Sequence, residues 1–146
     1  RAWKLRKRVP WMVKRRAGAA HSLEDVVVPP AAIPHLVAFV DRLRTGRRVP
    51  IALFGHAEDG NFHVTPMRSD EMTKEEWDET IGPLLEELYR EVVRLGGTIS
   101  GEHGIGRKRV KYLDIGLSTA ERGTMLAVKR ALDPKGVLNP GVIFSE

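Results

Sequence analysis

Two short glycine-flanked segments concentrate the residue types that do chemistry. They are Gly55-His56-Ala57-Glu58-Asp59-Gly60-Asn61-Phe62-His63 and Ser100-Gly101-Glu102-His103-Gly104-Ile105-Gly106-Arg107, and three of the five histidines lie in them. Imidazole nitrogens and carboxylate oxygens are donors that hold a divalent cation. A neutral imidazole is also the commonest general base. His56 and His63 are candidate ligands, and Glu102 or His103 can supply a third.

A hairpin must bring the first pair together. Val49 to Phe54 is a compact apolar run that predicts a buried strand, and Asn61 to Thr65 alternates like its partner. A four-residue loop over 57–60 would pair 56 with 61 and 54 with 63, placing His56 and His63 on one face as diagonal neighbours. Diagonal Cα atoms lie about 7–8 Å apart, within reach of a shared cation. Two turn histidines at a sheet edge would show the same spacing. The Glu-His pair between glycines, where missing side chains allow close approach of a ligand, brings the two readings level. Asp59-Gly60-Asn61 is turn chemistry by itself, and Glu58 reads as a solvated loop charge. His21 and His35 lie outside both segments and receive no role.

The remaining elements frame these segments. Residues 1–17 can be helical, with Pro10 expected to break or kink the helix. Asp25-Val26-Val27-Val28, ended by Pro29-Pro30, predicts a strand. Ile33, Leu36, Val37, Val40 and Leu43 recur at the spacing of one helix face, with Gly46 as its stop. Thr73 and Glu76 form a capping box for a helix whose apolar stripe runs from Trp77 to Leu95; Gly82-Pro83 should kink or split it. Thr98-Ile99-Ser100 predicts a short strand. Ser118 and Glu121 open a last helix that runs to about Leu132, where Asp133-Pro134 stops it. The order implies an α+β fold: a ferredoxin-like antiparallel sheet flanked by helices, with a helical C-terminal segment.

Length and composition exclude several classes. The chain has 146 residues, 42% hydrophobic and 29% charged, values of a globular domain. It has no cysteine, which removes disulfides, thiolate metal sites and a Cys nucleophile. No apolar stretch approaches a membrane span. The spacing of Gly101, Gly104 and Gly106 does not match a dinucleotide fingerprint. The net charge is +5, but residues 1–16 hold eight basic residues and no acid, leaving 16 basic against 19 acidic residues in the remainder. The basic opening, with Trp3 and Trp11, could be a nucleic-acid arm or could lend one Arg to an anionic substrate. A small metal-dependent hydrolase using the His/His/Glu set with bound water is a further alternative.

The segments GHAEDGNFH, ISGEHGIGR and LDPKGVLNPG, in this order, together resemble the C-terminal domain of FAD-linked oxidoreductases. That family includes D-lactate dehydrogenases, the glycolate oxidase flavin subunit and D-2-hydroxyglutarate dehydrogenase, within the vanillyl-alcohol-oxidase superfold. The resemblance implies that His56, His63 and Glu102 bind a divalent metal, usually zinc, and that His103 is the base on the substrate hydroxyl. It also implies that Asn139 lies against the flavin and that Arg6 holds the substrate carboxylate. The implied cofactors are FAD and the divalent metal; the implied partners are a small 2-hydroxy acid, an N-terminal FAD-binding domain of the same protein and an electron-acceptor subunit, with no nucleic acid. Residues 1–146 would then be a cap, or substrate, domain that alone binds FAD weakly or not at all and does not turn over substrate. The expected location is cytoplasmic or peripheral at a membrane. Pro10 and Leu23 stand where dicarboxylate-oxidising relatives carry Thr and Lys, which favours a smaller or different 2-hydroxy acid over 2-hydroxyglutarate.

Overall fold

The fold is taken from a computed structural model that describes residues 8–17, 20–47 and 49–144. Helix α1 spans Val9–Ala17. Pro10 is its second residue, so it starts the helix instead of breaking it; a first-turn N–H has no intrahelical acceptor to lose. Strand β1, Glu24–Val27, leads through a 3-10 turn over Pro30–Ala32 to helix α2, Ile33–Arg47. Strands β2, Ile51–His56, and β3, Asn61–Pro66, form the predicted hairpin. Helix α3 spans Lys74–Arg94, a 3-10 turn covers Val110–Tyr112, and helices α4, Leu113–Gly116, and α5, Thr119–Leu132, follow. No helix among the described residues is long and apolar enough to cross a membrane.

The sheet is antiparallel, in the order β1-β3-β2. Its register pairs Phe54 with His63 and His56 with Asn61 across the hairpin, and Asp25 with His63 on the other side. Strand alternation therefore gives the sheet two unlike faces. Val26, Ile51, Phe62 and Val64 turn to a core completed by Leu36 and Val40 of α2 and by Trp77, Leu84, Leu88 and Val92 of α3. Asp25, Phe54, His56, Asn61, His63 and Thr65 share the opposite face. The hairpin turns tightly at Gly60, whose φ is +74° and where a Cβ would come within 1.9 Å of the Val28 carbonyl oxygen. Asp59 Oδ1 accepts the Asn61 N–H at 3.0 Å, the turn chemistry read from the sequence.

Both predicted capping boxes form: Thr73 with Glu76, and Ser118 with Glu121. Three further expectations need correction. Gly46 does not stop α2, which runs through it to Arg47. Gly82-Pro83 does not split α3, which runs as one helix of 21 residues. Buried Trp77 before the proline and Leu84, Leu85 and Leu88 after it hold both halves on the same core. Thr98–Ser100 is not a strand but a single bridge, Val27 to Thr98. The backbone leaves the ladder there because the next N–H groups turn to the Asp25 carboxylate.

Candidate metal and proton-transfer site

The site begins at β3. His63 projects from the polar face with only 12% of its side chain exposed. Its ring centroid is 6.3 Å from that of His56, the diagonal neighbour across the hairpin. The loop after Thr98 brings Glu102 over this pair, with Oε1 3.3 Å from His63 Nε2. One ligand atom from each of His56, His63 and Glu102 lies within 4.8 Å of the other two. His103 stacks on His63, with centroids 5.2 Å apart and planes 14° from parallel.

Electrostatics suit ligation. Burial holds the His63 imidazole below its ordinary pKa; His103 and His56 push the same way, against Asp25 and Glu102. Neutral imidazole is the form that coordinates a cation. His63 Nδ1 is buried without a hydrogen-bond partner. Two imidazoles and a carboxylate are also a donor set that a zinc ion takes, leaving one position open. The residues present therefore fit a divalent cation.

The loop carrying Glu102 and His103 is anchored by residues that motif reading overlooked. Asp25, fully buried, accepts the N–H groups of Gly101, Glu102 and His103 on Oδ2 at 2.9, 2.8 and 2.8 Å. Its Oδ1 accepts Asn61 Nδ2 at 2.7 Å. Burial would raise this carboxyl's pKa, but the donors from His103, Asn61 and Gly101 outweigh it and hold it down. Gly101 admits this approach, because a Cβ there would lie 2.0 Å from Asn61 Nδ2. The close contact at Gly101 is thus with protein side chains, not the ligand expected from the sequence.

On the other sheet face, buried Glu24 accepts from Ser22 Oγ, Tyr89 Oη, Lys108 Nζ and Arg109 Nε. Arg109 in turn donates to the carbonyl oxygens of Gly104 at 3.1 Å and Leu23 at 2.9 Å. The signal for both anchors is the Glu24-Asp25 pair at the head of a β-branched run. Alternation sends the two acids to opposite faces, and a buried acid needs partners.

A cavity of about 290 Å³ opens beside the histidines, lined by Val13, His21, Leu23, Phe54, His63, Thr65 and His103. His21, given no role from sequence, lies in its wall. Thr65 Oγ1 is buried there without a partner. Asn139 lines a separate cavity of about 160 Å³ with Lys129, Asp133 and Phe144. Its turn takes φ of +47° at Asn139 and meets the histidine loop through Arg107 Nη2, which donates to Pro140 O at 3.4 Å. Arg6 lies outside the described residues.

Residues 1–143 match the family described as FAD linked oxidases, C-terminal domain. Among curated proteins the chain is similar to the glycolate oxidase subunit GlcD of Bacillus subtilis, 37% identical over 85% of this chain and 26% of that protein. It is similar to the D-lactate dehydrogenase of Anaerostipes hadrus, 35% identical over 82% of this chain and 25% of the relative. The D-2-hydroxyglutarate dehydrogenase of Stutzerimonas stutzeri is 35% identical over 83% of this chain and 26% of its own length. The chain thus spans about a quarter of the length of these relatives.

Proposed function

The chain belongs to the C-terminal domain family of FAD-linked oxidases, and on that premise we propose that it is the substrate-side cap of a FAD-dependent 2-hydroxy-acid dehydrogenase of the D-lactate or glycolate type. The observation that carries the site is the convergence of His56, His63 and Glu102 with His103 stacked on His63 beside the open cavity. Family membership supports oxidation over the hydrolytic use of the same ligands.

The 2-hydroxy acid enters the cavity with its hydroxyl toward the histidines. His56, His63 and Glu102 would hold the divalent cation. When bound, the cation would supply Lewis-acid stabilisation of the substrate oxygen and the flavin would supply the hydride acceptor. His103 takes the hydroxyl proton on its imidazole; its side chain is 41% exposed, so the ring is open to substrate. The stack on His63 and the backbone bond to Asp25 fix where that ring starts from. Phe54 and Leu23 shape the wall that meets the substrate side chain. Arg6 is assigned to the substrate carboxylate and Asn139 to the flavin.

The FAD-binding portion of the same polypeptide is the partner of this reading. Helix α5 has no buried residue among those described, and Val128 and Leu132 stand 54% and 78% exposed, an apolar surface available to such a portion. The test is substrate-dependent dye reduction by the full-length protein. D-Lactate or glycolate should support it, and His103→Ala should lower kcat by about 100-fold or more. Wild-type rates in that variant would refute the assigned base.

A further inference from the structure

We infer that Asp25 is a positioning residue of the reaction: its buried carboxylate sets the backbone from which both Glu102 and His103 project. The inference rests on the roles proposed above for those two residues. One oxygen, Asp25 Oδ2, accepts three successive N–H groups, from Gly101, Glu102 and His103. Three donors converging on one point force a concave backbone, a nest around an anion. The Asp25 carbonyl oxygen also accepts Gly101 N–H, at 3.3 Å.

The anchor shares a rigid reference with the other ligands. Asp25 pairs with His63 across β1 and β3, and His63 faces His56 across the hairpin. The loop donors and the strand donors are thereby registered on one sheet face. Asp25 does not act by orienting the His63 ring, since Asp25 Oδ1 and His63 Nδ1 are 4.0 Å apart, beyond hydrogen-bond reach. It acts through the loop. The far end of that loop is held by the adjacent acid, because Glu24 fixes Arg109 and Arg109 holds the Gly104 carbonyl. Two neighbouring residues, pointing to opposite faces of one strand, clasp both ends of the Glu102-His103 segment.

The experiment uses the full-length protein with Asp25→Ala and Asp25→Asn. Zinc affinity is measured by chelator competition, and kcat and KM with D-lactate, all per mole of folded protein. Asp25→Ala leaves the Glu102 and His103 N–H groups without their acceptor and Gly101 N–H with only the backbone carbonyl of residue 25. It should weaken zinc binding by about 10–100-fold and lower kcat by about 100-fold, with KM little changed. Asp25→Asn keeps one oxygen for the loop, and Asn61 can turn its amide so that its unpartnered Oδ1 accepts the new N–H. It should recover most of both losses. A merely structural role would lower the melting temperature of both variants while leaving zinc affinity and kcat at wild-type values; that result overturns the inference. Failure of the parent reading shows separately, as a wild-type protein that oxidises no 2-hydroxy acid, and the zinc affinities still decide the role of Asp25.

Discussion

The rings of His63 and His103 lie stacked, 5.2 Å between centroids and 14° from parallel. The two residues come from different elements, one from the inner strand of the hairpin pair and one from a loop forty residues later. Their contact joins a candidate metal ligand to a candidate proton acceptor. It also ties the site to the geometry of the loop, so changes in the loop should be felt at the candidate metal ligands.

Removal of a strand ligand should empty the site. His63→Ala in the full-length protein is expected to weaken divalent-metal binding by more than about 100-fold, beyond the range seen for outer partners. Metal content by mass spectrometry, compared with wild type and His56→Ala, reads this directly. Retention of one ion per chain in both variants would remove these residues from the ligand set.

Gly101→Ala should damage the site without altering any donor. The added Cβ would stand 2.0 Å from Asn61 Nδ2 and 2.9 Å from Asp25 Oδ1. Overpacking of this kind costs about 1–3 kcal/mol. Denaturant unfolding should show that loss, and metal content should fall with it. A variant as stable and as well metallated as wild type would contradict the packing described.

Leu23 lines the cavity wall beside His63 and His103. Leu23→Lys should shift preference toward dicarboxylate substrates. A charge-assisted hydrogen bond is worth about 1.5–3 kcal/mol, so the ratio of kcat/KM for 2-hydroxyglutarate over D-lactate should rise by roughly tenfold or more. An unchanged ratio would show that the substrate side chain lies elsewhere.

Acid should unfold the domain through Glu24. Burial would raise this carboxyl, but the hydrogen bond and charge of Lys108, with Ser22 and Tyr89, outweigh it and hold the pKa below the ordinary value. A depressed folded pKa stabilises the fold above the unfolded value, about 4.3. That contribution is lost as pH falls through the lower folded value. Glu24→Gln leaves the Arg109 guanidinium, 7% exposed, without its counter-charge. Breaking a buried pair this way costs about 3–5 kcal/mol. Urea midpoints between pH 3 and 7 should fall at the acid end in wild type and be low throughout in the variant. Equal stability of the two proteins at neutral pH would contradict the network.

Much of this arrangement was legible in the sequence. The hairpin register follows from the length of the 57–60 loop, which by itself places His56 and His63 on one face. The two capping boxes and the stop at Asp133 were local signals, readable because a capping box needs only residues three positions apart. What stayed hidden depends on contacts distant in the chain. Asp25 is bonded to residues 36 to 78 positions away; the Glu24-Asp25 pair marks a buried acid that needs partners, but not which donors those are. Thr98–Ser100 carried strand propensity, yet the Asp25 carboxylate drew its following N–H groups out of the sheet. His21 is unremarkable in sequence because its place in the cavity wall is set by the chain around it.

The most direct test of the proposed site is anaerobic reduction of the flavin in the full-length protein. D-Lactate or glycolate is added before and after removal of the divalent metal by a chelator. Rapid bleaching of the flavin absorbance is expected, abolished when the metal is removed and restored by zinc. Bleaching that proceeds unchanged after the metal is gone, or its absence with every 2-hydroxy acid tried, would contradict the proposed site.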